Sequence, residues 1–226
     1  MLRIISYNIH SGKDFFWRKR LKAMATTLVE LKADVICLQE VHQNKRFGFQ
    51  ADFFQEELAM KSVFSPSIPF EGGGYGNALF TNLTLEEVVM KKLPAQIEGR
   101  SLLQVKLTKE ASRFHIWATH LSLDKRSREL QMRYLSNEVS MQSEPLLLLG
   151  DFNTTKLALP NNLSDAAKIV GKALTPTVLV PPLRFDYILA SAHWKVQDYH
   201  VIDVRWSDHR PIQATLTLSD GSVLEE

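Results

Sequence analysis

The chain has 226 residues, enough for one well-buried domain, and 45% of them are hydrophobic. Its 27 basic and 25 acidic side chains leave a net charge of +2. That near-balance excludes a protein held to nucleic acid by bulk charge, although a local basic patch stays open. The single cysteine, Cys37, can close no internal disulfide and sits in an apolar run, as a buried core thiol would. No secretory apolar segment or membrane-length run is present, so the expected setting is reducing and cytoplasmic.

Residues 2–9 (LRIISYNI) form a β-branched run that predicts a strand, with Asn8 and His10 at its end and a Ser11-Gly12 turn beyond. Trp17, Leu21, Met24, Leu28 and Leu31 recur at steps of four and three, which predicts an amphipathic helix. Its outer face would carry Arg18, Lys19, Arg20 and Lys22, most simply as a solvated surface. Residues 34–40 (DVICLQE) predict a second strand ending in Gln39 and Glu40. Strand, helix and strand in this order suggest a β-α-β unit packed on a sheet. A short helix is expected at 52–60, with Phe53, Phe54 and Leu58 as its apolar side.

The glycines at 72, 73, 74 and 76 precede Asn77. They read either as a flexible hairpin approach or as a loop at the rim of a site. No Gly-Lys-Ser/Thr follows them, so this is not a P-loop. Residues 88–91, 101–107 and 114–118 look like strands; Arg100 precedes the second, and Thr119-His120 ends the third. Residues 125–141 lack Gly and Pro and predict a helix. Its apolar residues split into two stripes (Leu130, Tyr134, Met141 and Met132, Leu135, Val139), leaving the buried side open.

The run Leu146, Leu147, Leu148, Leu149 lies between Pro145 and Gly150 and predicts a strand buried on both faces. It releases Asp151 and Asn153 at its tip, a rigid support for catalytic groups. A helix is expected at 161–171, capped by Ser164 and stopped by Gly171. An extended loop follows at 175–182, then a strand from 184 that holds Asp186 between Phe185 and Tyr187. A carboxylate buried there needs a donor. Strands are expected at 194–204 and 212–218, with the loop Ser207-Asp208-His209-Arg210-Pro211 between them. Residues 1–219 read as one domain, and 220–226 as a frayed tail.

The strand tips and the late loop supply Asn8, Glu40, His120, Asp151, Asn153, Asp208 and His209. This oxygen-rich set without thiolate suits Mg²⁺ or Mn²⁺ better than zinc. Glu40, helped by Asn8 and Asp208, is the candidate ligand set. The chemistry such a set supports is hydrolysis of a phosphate ester. Asp151 would deprotonate the attacking water, and Asn153 would fix its geometry. His209 would stabilise phosphoryl charge, and Asp186 would hold its imidazole in one tautomer. Gly-x-Ser-x-Gly, His-Glu-x-x-His and paired Cys-x-x-Cys are absent, which weakens serine-hydrolase and zinc readings.

The segments SYNIH, LQE, YGNALF, ATHL, GDFN, FDYIL and SDHRP, in that order, resemble the endonuclease/exonuclease/phosphatase superfamily, with its deoxyribonuclease I-like fold. They run from Ser6 to Pro211, nearly the whole chain. The resemblance implies an α/β fold, a four-layer α/β/β/α sandwich of two facing mixed sheets flanked by helices, with the site at one sheet edge. It implies a metal-dependent phosphoesterase in which Glu40 and Asn8 stand on the metal side, and Asp151 and Asn153 position water. Asp208 would contact metal or His209, Asp186 would pair with His209, and His120 would contact phosphate. Asn77 matches a position supporting that histidine, and Arg100 would reach the phosphate.

One departure is His10, where some DNA-repair members carry an aspartate. The leading expectation is therefore a Mg²⁺-dependent phosphodiesterase of nuclease type. Its partner would be a phosphate-ester substrate, nucleic acid among the candidates, met by the bases at 18–22, 45–46 and 125–128. The rivals are a phosphatase or a phospholipid or small-molecule phosphodiesterase and, in another class, an inactive binding module. The retained Glu40, Asp151, Asp208 and His209 count against the last.

Overall fold

The computed structural model describes residues 1–158, 160 and 162–219. Strand β1 (Leu2–Asn8) leads through a tight loop to helix α1 (Leu21–Glu30) and strand β2 (Val35–Asn44). A short β3 (Gly48–Phe49) and helix α2 (Gln50–Leu58) follow. Strands β4 (Lys61–Phe70) and β5 (Gly73–Thr81) form a hairpin. Strands β6 (Thr84–Leu93), β7 (Arg100–Lys109) and β8 (Ser112–His120) form an antiparallel meander. Helix α3 (Lys125–Ser140) starts where Asp124 accepts a hydrogen bond from Ser127 N at 2.7 Å, a side-chain N-cap. Then come β9 (Leu146–Asp151), β10 (Leu163–Asp165), α4 (Ala166–Ile169), β11 (Asp186–Ser191), β12 (Trp194–Val201) and β13 (Ile212–Leu218).

The strands make a 7-stranded sheet, ordered β12-β13-β1-β2-β5-β4 with β3 beside β2, and a 6-stranded sheet, ordered β10-β11-β9-β8-β7-β6. Each sheet contains one parallel pair, β1–β2 and β8–β9, and each pair is bridged by a helix, α1 or α3. A helical crossover is what parallel neighbours require. The carboxyl ends of both pairs point to the same edge of the molecule, since Asn8 and Asp151 meet there.

Alternation of side chains explains the layers. Leu147 and Leu149 of β9 point between the sheets, where Ile4, Val35, Val105, Ile116 and Ile188 pack. Leu146 and Leu148 point outward against Leu135 and Val139 of α3. On the other sheet, Ile5 and Tyr7 face Met24, Leu28 and Phe54 of α1 and α2. Each buried leucine contributes roughly 1.5–3 kcal/mol, so the apolar run anchors β9 from both sides. This is the expected α/β/β/α sandwich. None of the described helices is long and apolar enough to cross a membrane.

Several local expectations change. The first helix begins at Leu21, not Trp17, because Asp14 captures the backbone N–H groups of Phe16 and Arg18 in a turn. Expected helix 161–171 is instead β10 followed by the single turn α4, capped by Asp165 rather than Ser164; Asn161 lies outside the described residues. The strand from Trp194 stops at Val201. Of the two readings of the glycine-rich stretch, the hairpin holds and the rim loop does not: Gly73 to Gly76 are strand, where a Cβ at Gly73 would lie 1.8 Å from Gln43 O, and one at Gly76 2.1 Å from Ser65 O. Strand β4 carries Pro66 and Pro69, which an edge position permits. Helix α3 buries Leu135 and Val139 and exposes Met141. The expected frayed tail, 220–226, lies outside the described residues.

Candidate functional site

Strand register assembles the second sheet's share of the site. His120 stands opposite Asp151 across β8 and β9, and Asp151 stands opposite Asp186 across β9 and β11. Gly150 makes the first of these possible. Its φ is +146°, and a Cβ there would fall 1.8 Å from Thr119 O. The first sheet delivers its share differently. Asn8 pairs with Gln39, and Glu40 follows at an irregularity in the β2–β5 register with φ +62°. A left-handed glutamate at a bulge is a strained backbone that re-aims one side chain.

The groups converge on Asp151. Its Oδ1 accepts from Asn153 N at 2.8 Å, and its Oδ2 accepts from Asn8 Nδ2 at 3.0 Å. The same Asn8 Nδ2 donates to Glu40 Oε1 at 2.9 Å, so one amide joins carboxylates from the two sheets. His120 Nε2 and His209 Nε2 lie 3.4 and 3.7 Å from Asp151 Oδ2. His209 Nδ1 is 2.8 Å from Asp186 Oδ2, the donor that a buried Asp186 needed. Asn153 Nδ2 donates to Leu121 O at 2.8 Å and lies 3.1 Å from His120 Nε2. Asp151, Asp186 and His209 together form an Asp/Asp/His cluster with candidate ligand atoms within 4.8 Å of one another.

Burial sets the protonation states. It pushes the Asp151 carboxyl up, and with His209 opposing and Asp186 assisting, the value reaches about 7. Burial works against a charged His209, but Asp186, Asp151 and Asp208 outweigh it and raise the imidazole to about 10. His120 is held well below the ordinary histidine range by burial, by Arg100 and by His209. At neutral pH one histidine is thus charged and its neighbour is not.

Other expected residues sit at the margin. Asp208 Oδ1 lies 3.0 Å from Ser207 Oγ and 3.7 Å from His10 Nδ1; its side chain is half-buried and makes no hydrogen bond with the His209 ring. Asn77 Nδ2 donates to Ser101 O at 3.4 Å, not to His120. Arg100 is buried, donates to Glu98 at 2.9 Å, and approaches the cluster through its charge on His120. Asn77 Oδ1, Arg100 Nε and Asp186 Oδ1 are buried without a protein partner. Such atoms gathered at one edge mark a place for ligands.

Supporting residues escaped the sequence reading. Thr177 Oγ1 accepts from the backbone N–H groups of Phe185 and Asp186, and Thr177 O accepts from Arg210 N at 2.7 Å. The loop at 175–182 therefore clamps both Asp186 and the His209 loop. Ser207 Oγ donates to Asn8 O at 2.8 Å, tying that loop to β1. Tyr75, whose hydroxyl is pushed far up by burial and by Glu40, stands beside the Glu40 carboxylate. Thr-Pro-Thr and Ser-Asp-His are visible in the chain, but no periodicity says what their hydroxyls hold.

The two-sheet sandwich thus gathers buried acids and histidines at one edge. Residues 5–209 match the model of the Endonuclease/Exonuclease/phosphatase family, and the chain belongs to that family. A search of curated protein sequences gave no match. Among solved structures, it is similar to an endonuclease/exonuclease/phosphatase from Beutenbergia cavernae, with TM-score 0.80 and 22% identity over 99% of this chain and 73% of that one. It is also similar to a mannosyl-6-phosphatase from Bacteroides thetaiotaomicron, with TM-score 0.81 and 17% identity over 96% of this chain and 100% of that one. A third likeness is D. rerio TDP2 complexed with single strand DNA product, with TM-score 0.77 and 20% identity over 96% and 98% of the two chains. At these identities the likenesses carry the fold.

Proposed function

We propose that residues 1–219 act as one unit that hydrolyses phosphodiesters with the help of a divalent cation, Mg²⁺ or Mn²⁺. The observation that carries this reading is the Asn8 amide, 2.9 Å from Glu40 and 3.0 Å from Asp151. It gathers two carboxylates beside a charged histidine, an acceptor set of hard oxygens that fits such a cation. The hydrogen bond between Asp186 and His209 commits one oxygen and Nδ1 to each other, so we assign that pair to charge tuning. Glu40 and Asn8, with Asp208 at the solvent side, would hold the cation. When bound, it supplies positive charge against the phosphoryl oxygens.

The protein's own groups do the rest. Asp151, with a value near neutrality, takes the proton of the attacking water, and Asn153 N fixes Oδ1 so that the carboxylate keeps one orientation. His209, kept charged by Asp186, faces the same carboxylate and stabilises the developing charge on phosphorus-bound oxygen. Neutral His120 and the unpartnered Nε of Arg100 bind the phosphate, with Asn77 behind them. A groove of about 660 Å³ lies along α3, lined by Lys125, Arg128, Glu129, Arg133 and Lys156 among others, with Thr154, the residue after Asn153, in its wall.

The test is hydrolysis of a panel (generic diester, monoester, DNA, RNA, phospholipid) with Mg²⁺, Mn²⁺ or chelator, using Asp151→Asn as blank. Nuclease activity is the form that the bases at 125–128 favour. Cleavage that persists in chelator, or in Asp151→Asn, would sink the mechanism.

A further inference from the structure

We infer that the rim of the site on the β1–β2 side is a docking surface for an anionic lipid bilayer; the phosphodiesterase reading enters only in what the docked site would cleave. The surface begins at the loop after β1. Buried Asp14 accepts from Phe16 N at 2.9 Å, Arg18 N at 3.0 Å, Arg18 Nε at 2.8 Å and Arg20 Nε at 2.9 Å. With its backbone pinned in this way, the loop turns Phe16 and Trp17 outward, 71% and 66% exposed. Phe47 and Phe49 are also exposed, on a neighbouring segment joined to this loop by Gln50 Nε2 donating to Ser11 O at 2.8 Å. Large aromatic rings held rigidly in water mark a surface that meets a partner.

The charges around those rings state the partner's sign. Lys13 lies 4.8 Å over the Trp17 ring, Arg18 5.1 Å over Phe16, and Arg46 5.0 Å over Phe47; Lys19 is exposed beside them. Of the nearby acids, Asp14 is buried under its own loop, Glu71 lies 3.8 Å from Lys45, Asp208 lies 3.7 Å from His10, and Asp52 is exposed on α2, fewer open acids than the bases around them. Aromatic bodies ringed by long cationic stems are the composition of an interfacial anchor on anionic lipid.

Nucleic acid could use the same cations and rings, so the rest of the rim decides. Ile97 is 82% exposed ahead of β7, Leu123 72% exposed just after His120, and Val180 63% exposed next to Leu179, whose N–H donates to Asp208 O. Ile97 precedes β7, whose first residue is Arg100, Leu123 follows His120 at the end of β8, and Val180 adjoins the backbone bond to Asp208, so each borders a segment that carries a site residue. Aliphatic side chains offer no face for a base to stack on, whereas the acyl boundary of a bilayer takes them readily. The anchor is one residue from the chemistry. His10 stands 4.9 Å from Trp17 ring to ring, and its N–H donates to Asn8 Oδ1 at 3.0 Å. A docked molecule would meet head-group phosphates with its site.

Trp17 reports on this directly, because Trp117 and Trp194 are buried and Trp206 is half-buried. The experiment titrates the full chain with vesicles of phosphatidylcholine, alone or mixed with phosphatidylglycerol, following tryptophan emission and co-sedimentation. Anionic vesicles should bind the protein and shift its emission to the blue, and neutral ones should bind weakly. Phe16→Ser with Trp17→Ser should lower partitioning by about tenfold or more, since two interfacial aromatics are lost. Lys19→Gln should lower it by about fivefold, the worth of one base at an anionic surface. Both variants should hydrolyse a soluble diester at the wild-type rate. Failure to bind anionic vesicles, undiminished binding by the double serine variant, or an emission shift given by a single-stranded oligonucleotide but not by vesicles would each overturn the inference. Vesicle binding without cleavage of any soluble diester would overturn the phosphodiesterase reading instead and leave the docking surface standing.

Discussion

The two sheets meet at one edge but bring different kinds of group to it. From the 6-stranded sheet come His120, Asp151 and Asp186, all buried and all held in regular register on neighbouring strands. From the 7-stranded sheet and the loop beside it come Asn8 and His209, both buried, and a wetter pair: Glu40, on a left-handed backbone at a bulge, and Asp208, half-exposed. The buried side has little water to screen its charges, so small displacements of proton or charge there have large effects on neighbouring groups. That is where protonation states are set, with Asp151 raised to about 7 and His209 to about 10. The wetter side suits exchangeable contacts with cation, substrate and surface. Replacing a group on each side should therefore fail in different ways.

The largest effect is expected on the buried side. Asp151→Asn keeps the shape of β9 but removes the proposed base, and kcat should fall by about 10²–10⁴. Added metal should not restore it. A metal titration of the residual rate checks that point. Glu40→Gln should behave oppositely. The concentration of Mg²⁺ needed for half-maximal rate should rise about tenfold or more, with most of kcat recovered at saturation. If Glu40→Gln lost kcat at every metal concentration, the division between buried and wetter groups would be wrong.

Much of this division was legible in the chain and some was not. The leucines ahead of Asp151 predicted a strand buried on both faces, because apolar residues without alternation leave no face for water. The short polar motifs at strand ends placed Asn8, Glu40, His120, Asp151 and His209 at one edge. Pattern could not show that Glu40 sits at φ +62°, since a bulge depends on how β2 pairs with β5, far along the chain. Nor could it show that Trp17 leaves the helix. Its spacing from Leu21 fits a helical face, but local bonds to Asp14 compete with the helix and win. Glycines 73, 74 and 76 left a hairpin approach and a rim loop both open, and the β4–β5 hairpin is what forms, because a sequence does not reveal the neighbouring backbones that press on them.

A subtler test changes the charge that tunes His209. Asp186→Asn removes its negative partner while leaving a hydrogen-bonding side chain, so the imidazole should lose its raised value. If the charged form is the active one, the wild-type rate should hold on the alkaline side until pH nears about 10, and the variant should decline at lower pH. Stability carries the same sign. A histidine raised from 6.5 to about 10 adds stability that is complete below 6.5 and is lost as pH rises through about 10. Melting temperatures of the two proteins across that window should converge toward its alkaline end. A constant gap would mean that Asp186 acts through packing and not through charge.

The smallest expected effect isolates the turn that follows β9. Asn153 has φ +50°, a conformation that asparagine tolerates and alanine resists by about 1–2 kcal/mol. Its side chain donates to Leu121 O at 2.8 Å, a bond worth about 1 kcal/mol net. Asn153→Ala should therefore cost about 2–3 kcal/mol of stability, the sum of both contributions. Asn153→Gly should cost less, because glycine accepts the positive φ and loses only the side-chain bonds. Urea midpoints for the two variants separate backbone from side chain. Equal losses would show that the turn is held by its contacts alone, and that the second sheet's regularity extends past Asp151 without any help from an asparagine at that position.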